Sequence, residues 1–197
     1  VNLPLPNKTL IAEKILSIDK KLWFWNRYRA THMLPLMTKE SISGQNGSSN
    51  YRKGEFSWLE YTPIEIKDWF EDIVFPWMKT KTRIIVLWTE PNFSNKEHID
   101  ASLQEVGTRQ HKFRLVIKGR TDTLYFKTNT KDIFAPNTEK AFLMDGTWPH
   151  GMNNFTDEIK LTIAAGSPWT GFDFYNNVNL LLKKSDFILP TDLGKFL

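Results

Sequence analysis

From residue 82 onward, apolar and polar positions alternate in short runs. Arg83–Trp88, Lys112–Lys118, Thr123–Lys127, Asp132–Ala135, Ala141–Met144 and Glu158–Ala164 are rich in β-branched and aromatic residues. Turn formers separate them: Gly119, Asn129, Pro136-Asn137, Asp145-Gly146 and Gly166-Ser167-Pro168. A period of two bounded by such residues predicts half-buried strands. In the last run, Lys160, Thr162 and Ala164 fall on one face, and Ile159, Leu161 and Ile163 on the other. Many short strands without long intervening helices predict a mainly β fold, a sandwich or jelly roll.

The first eighty residues follow another rhythm. Leu10, Ile11, Ile15, Leu16 and Ile18 recur at helical spacing, predicting an amphipathic helix within Thr9–Lys21. Leu22–Arg29 is aromatic-rich and strand-like, and the small polar residues of Lys39–Gly54 predict a loop. Thr62-Pro63 resembles a helix start, with Ile64, Trp69, Phe70, Ile73 and Val74 on one face and Pro76 as its stop. We therefore expect one domain over residues 1–197. Residues 1–81 would form a helical and variable region packed on the core, 82–170 the β core, and 171–197 a C-terminal extension.

Composition narrows the function. With no cysteine, disulfides, thiolate-bound zinc and iron–sulfur clusters are excluded. The net charge of +4 comes from 26 basic and 22 acidic residues that are interspersed, so nothing calls for a nucleic-acid partner. No apolar run reaches the roughly 20 residues of a membrane span, and the first residues lack the pattern of a signal peptide. A soluble, cytoplasmic protein without a membrane partner is the expectation.

The candidate chemistry lies in three residues. His98 and Asp100 are spaced i, i+2, which puts both side chains on one side of an extended segment, and His150 follows fifty residues after Asp100. Two imidazoles and one carboxylate leave open positions on a metal, an arrangement suited to non-haem Fe(II). The competing reading is three unrelated residues. His32 and His111 are poorer ligand candidates, since His32 lacks an acidic neighbour and His111 simply precedes a strand. Lys160, on an otherwise apolar strand, suggests a buried cation that holds an anion, because a bare buried ammonium is costly. A solvated lysine on the polar face of a half-exposed strand is its alternative.

His98-Ile-Asp100, then Phe113-Arg-Leu-Val-Ile-Lys-Gly119, then Phe142-Leu-Met-Asp-Gly-Thr-Trp-Pro-His150, with Lys160 ten residues later, resemble the Fe(II)/2-oxoglutarate-dependent oxygenases. The likeness is to the aspartyl/asparaginyl and prolyl hydroxylase-like branches and runs roughly from Arg83 to Trp169. It implies a cupin-like double-stranded β-helix, with Fe(II) on His98, Asp100 and His150. It also implies 2-oxoglutarate and O2 as cosubstrates, succinate and CO2 as products, and hydroxylation of an amino-acid, peptidyl or small-molecule substrate. Lys160 would pair with the distal carboxylate of 2-oxoglutarate. Lysine here departs from the usual arginine and lacks its bidentate fork, so a hydroxyl from Tyr125 or Thr162 is expected beside it. Arg114 is a candidate contact for a cosubstrate carboxylate, or else a surface residue. Trp88, Phe113, Phe126 and Trp148 are candidate cavity walls. Ser41–Asn50, Trp23–Tyr28 and Trp58–Tyr61 are candidates for a lid or peptide groove.

Three other readings stay open. The same barrel can hold a metal or a sugar without oxidising anything, as a cupin-like binding protein. It can also be a structural jelly roll with an accidental triad. A hydrolytic zinc enzyme is disfavoured, because no general base accompanies the triad. The sequence decides neither the substrate nor the oligomeric state.

Overall fold

The computed structural model describes residues 1–26, 31–39, 55–78, 81–95, 97–99, 111–128, 130–146 and 149–166. Asp100, Trp148, residues 40–54 and residues 167–197 lie outside this set, and with them one expected metal ligand, most of the expected loop and the C-terminal extension. Of the candidate strand over residues 22–29, residues 27–29 are outside it too.

Helix α1 (Lys8–Leu16) starts where Asn7 accepts a hydrogen bond from the Leu10 N–H at 3.1 Å. It buries Ile11, Ala12 and Ile15, and ends before the expected Lys21, whose segment Lys20–Leu22 forms a 3-10 turn. Helix α2 (Ile64–Trp69) widens into a π turn over Phe70–Val74 and closes as α3 (Phe75–Met78). Pro76 was expected to end this helix; the chain instead passes through it. A proline ring clashes with the carbonyl four residues back and donates no bond, and the widened turn, with the Phe75 N–H on the Phe70 carbonyl, relieves that conflict. Ile66, Trp69, Phe70, Val74, Phe75 and Met78 are buried, whereas Ile64, placed by its spacing on the apolar face, is exposed.

Eleven strands are described: β1 (Phe24–Asn26), β2 (Thr31–Lys39), β3 (Phe56–Trp58), β4 (Ile84–Thr89), β5 (Phe93–Ser94), β6 (His111–Lys118), β7 (Leu124–Lys127), β8 (Asp132–Phe134), β9 (Phe142–Asp145), β10 (His150–Asn154) and β11 (Lys160–Gly166). They build two antiparallel sheets. The larger runs β1-β2-β4-β11-β6-β9 with β3 beside β2, and the smaller runs β5-β10-β7-β8. Residues before 82 thus supply three strands of the larger sheet as well as the helices. The pattern hid β2 because Pro35 donates no ladder bond. The strand accommodates it with a register shift between Pro35 and Met37, and the Pro35 and Leu36 carbonyls accept from the Tyr61 and Thr62 hydroxyls at 2.7 and 2.8 Å.

Each face of the larger sheet has its own core. The outer face carries Leu34, Ile84, Val86, Leu115, Leu161 and Ile163 against the helices. Phe113 belongs here, fully buried with its ring 5.9 to 6.1 Å from those of Trp69, Trp77 and Phe70. The inner face carries Met33, Ile85, Leu87 and Ala164, and faces the smaller sheet. Between the two sheets, Leu124, Phe126 and Ala135 meet Met144 of β9.

Candidate functional site

β10 is short and poor in strand formers, His-Gly-Met-Asn-Asn, and gave no strand signal in the sequence. Its neighbours impose the conformation. β7 pairs along one edge, matching His150 to Phe126, Gly151 to Tyr125 and Met152 to Leu124, and β5 pairs along the other. Beyond β5, His98 makes an isolated antiparallel bridge with His150. The two residues exchange backbone hydrogen bonds of 2.9 and 3.0 Å. Directly opposed residues of an antiparallel pair project to the same face. Their rings accordingly meet, with centroids 4.5 Å apart. His150 is buried and Phe126, across the strand, lies 6.2 Å away ring to ring. Among the described residues no group of three His, Cys, Asp or Glu side chains forms a metal site; the structure brings together the two histidines of the expected triad.

Lys160 opens β11, the central strand of the larger sheet, and is only 2% exposed. Its ammonium donates to the Thr123 hydroxyl, in the turn before β7. On β4 it is paired with Thr89, whose hydroxyl is 3.1 Å from the Met152 sulfur. Met152 is two residues beyond His150 on the same face of β10, about 7 Å along the strand. Lys160 and the histidine pair therefore lie on facing walls of the gap between the sheets, Lys160 level with Met152. Burial first, and the Arg114 charge after it, bring Lys160 from its ordinary 10.5 down to about 7, with the Asp122 charge offsetting part of the fall.

Thr162 is on the same face as Lys160, and its hydroxyl is buried without a hydrogen-bond partner. Arg114 stands opposite Ala164 on β6, 7% exposed, with Nε 3.4 Å from the Met144 sulfur. It is an inward residue, so the surface alternative is excluded. Lys112, two residues earlier, is inward and buried as well.

Several expected roles are corrected. Tyr125 is not the hydroxyl beside Lys160. It alternates with the inward Leu124 and Phe126, and so projects from the other side of β7, over Gly151 and beside the exposed Phe134. Thr123 takes the place expected of it. The one trace of this in the sequence is a polar residue opening the alternating run Thr123–Lys127. Phe113 and Trp88 are not cavity walls, since both face the helix side, where Trp88 meets Trp23 edge-on at 5.4 Å. Phe126 does line the inter-sheet space. Trp58 and Tyr61, expected in a lid or groove, are tied down instead: Trp58 Nε1 donates to Glu71 at 2.8 Å and Tyr61 to Pro35.

An oxidoreductase of the 2OG-Fe(II) oxygenase family from Burkholderia pseudomallei superposes with a TM-score of 0.52 at 10% identity, over 83% of this chain and 79% of that one. The fold is a cupin-like double-stranded β-helix. A Pseudomonas putida prolyl-4-hydroxylase aligns at TM-score 0.48 and 10% identity, over 81% of this chain and 84% of that one. The capsular polysaccharide assembling protein CapF of Staphylococcus aureus aligns at 0.35 and 14% identity over 44% of this chain. The match spans 23% of CapF, about a quarter of its length. At these identities the likeness is one of fold. No family model matches the sequence, and no curated protein does. No helix among the described residues is long and apolar enough to cross a membrane.

Proposed function

We propose that the protein is a non-haem Fe(II)- and 2-oxoglutarate-dependent oxygenase that hydroxylates an amino-acid, peptidyl or small-molecule substrate in the cytoplasm. The observation that supports this reading is the placement of the His98–His150 pair and the buried Lys160 on facing walls of one inter-sheet space. The donor set fits the implied groups. Two imidazoles on one face suit a first-row divalent ion. A buried ammonium with a buried, unpaired threonine hydroxyl on the same strand suits a carboxylate.

His98 and His150 would hold the iron, with Asp100, two residues from His98, as the third ligand by sequence. Lys160, Thr123 and Thr162 would bind the distal carboxylate of 2-oxoglutarate, with Arg114 a second cation on the same wall. When bound, iron and 2-oxoglutarate would, with O2, supply an oxidant for C–H bonds, one oxygen atom ending in succinate as CO2 leaves and the other in the hydroxylated substrate. The protein's own part is positioning and exclusion of water. The bridge sends both imidazoles to the same side of the sheet, and Phe126, Leu87 and Met152 give the space apolar walls. The ammonium, hydrogen-bonded to Thr123, holds the anion in a low-dielectric setting where one ion pair has large effect.

The alternative is a cupin-like protein that binds metal and an anion without oxidising anything. The histidine pair beside a buried cation, with no third ligand among the described residues, favours it as the second reading. Anaerobic addition of Fe(II) and 2-oxoglutarate separates the two, with His150→Ala and Lys160→Ala as controls. A visible metal-to-ligand charge-transfer band in the native protein, absent from both variants, is expected. Its absence from folded native protein rejects the oxygenase reading. Succinate formation in air, with a +16 product on a candidate peptide or amino acid, then identifies the substrate.

A further inference from the structure

The turn from β6 into β7, Gly119-Arg-Thr-Asp-Thr123, closes over Lys160. Gly119 has φ +84°, and a Cβ on it would come within 3.2 Å of the Lys160 Cα and Cβ. Only glycine allows both that conformation and that approach. The turn presents Thr123 to the ammonium, and the next residue back is Asp122, the acidic group whose charge supports Lys160. Asp122 makes no ion pair with it. Its carboxylate is engaged by Arg120, with Nε–Oδ1 3.0 Å and Nη2–Oδ2 2.6 Å, and Arg120 also lies over the Phe155 ring at 5.8 Å. A two-toothed guanidinium–carboxylate pair fixes orientation as well as charge.

A carboxylate beside a buried lysine would ordinarily be its counter-ion. Here the natural counter-ion is turned away, and the lysine keeps a hydroxyl as its partner. We infer that Arg120 and Asp122 are positioning residues for anion binding: Arg120 holds Asp122 off Lys160 and so keeps the ammonium for an incoming carboxylate. This rests on the reading of Lys160 as the 2-oxoglutarate anchor, but the Arg120–Asp122–Lys160 relation is a property of the protein alone. Among the described residues, the groups facing Lys160 are Asp122 and Thr123 from the turn, Arg114 from β6, Thr89 from β4 and Thr162 from its own strand. Of these only Asp122 can neutralise it. Released from Arg120, Asp122 would swing to Lys160, raise its proton affinity and occupy the place of the ligand.

The test uses Arg120→Ala, Asp122→Asn and the double variant of the full chain. The first readout is 2-oxoglutarate binding in the presence of Mn(II). Arg120→Ala should weaken it about fivefold, and adding Asp122→Asn should restore it, a coupling that loss of an independent surface contact does not produce. The second readout needs no ligand. The ε-carbon resonance of Lys160 is followed by NMR against pH; its midpoint should rise in Arg120→Ala and fall back in the double variant. An unmoved midpoint in Arg120→Ala, or a double variant that binds as weakly as the single, overturns the inference. If the native protein binds no 2-oxoglutarate while the Lys160 midpoint shifts as described, the oxygenase reading fails and the counter-ion relation stands.

Discussion

His98 and His150 exchange both of their backbone hydrogen bonds, at 2.9 and 3.0 Å, so their imidazoles leave the same side of the sheet by construction. Main-chain geometry thus sets the shared face, on which the two rings stand 4.5 Å apart. Replacing either ring leaves the rung intact. His98→Ala and His150→Ala should each lower Mn(II) affinity at least about 100-fold while keeping the native circular dichroism. Electron paramagnetic resonance of free Mn(II) measures this, and unchanged affinity in both variants would remove the metal site.

Gly151 follows His150 and lies under Tyr125. A Cβ there would sit 2.4 Å from the tyrosine oxygen and 2.6 Å from Cζ, so the ring must move. Gly151→Ala should destabilise the protein by about 1–2 kcal/mol in thermal or denaturant unfolding. Tyr125→Ala in the same chain should recover part of that loss. A silent Gly151→Ala would mean that the Tyr125 ring moves aside without cost.

Lys160 makes stability depend on pH in an unusual direction. Its proton affinity falls on folding, from 10.5 to about 7. Below pH 7 both states are charged and the folded protein bears the whole cost of burial. Between about 7 and 10.5 the unfolded chain holds a proton that the folded one lacks, so this contribution to stability rises with pH. Lys160→Met should therefore be stabilising relative to native below pH 7. The advantage should shrink across that window, as read by urea unfolding at several pH values. A difference independent of pH would show that the lysine titrates normally.

The Thr162 hydroxyl is buried and unpaired. Burying such a group costs about 1–3 kcal/mol, so Thr162→Val, which removes it at constant shape, should leave stability equal or higher. The same change should weaken 2-oxoglutarate binding in the Mn(II)-loaded protein. Stability gained with affinity lost marks a group kept for a ligand; affinity unchanged would make the hydroxyl incidental.

Alternation alone located the core strands and put Lys160, Thr162 and Ala164 on one face, as the structure does. It failed where something other than alternation fixes the backbone. β2 contains a proline and a bulge, and β10 contains glycine and two asparagines, so each is a strand because its neighbours pair with it. Tyr125 was misplaced for a related reason. Which side of β7 faces inward depends on the register with β10, and a single strand does not carry that information. Phe113 and Trp88 show the same limit, since an aromatic on a two-sided sheet fits either core.

β11 comes last among the described strands, yet it lies between β4 and β6, about seventy and forty-five residues earlier in the chain. Until it arrives, both partners have an unpaired edge, the kind that invites other chains. Lys160 enters on the same strand. If Lys160 anchors an anion as proposed, closure of the sheet also completes that site, and an anionic ligand held there should slow the strand's escape. Bound 2-oxoglutarate would then hold β11 in place and protect the edges of β4 and β6 against proteolysis.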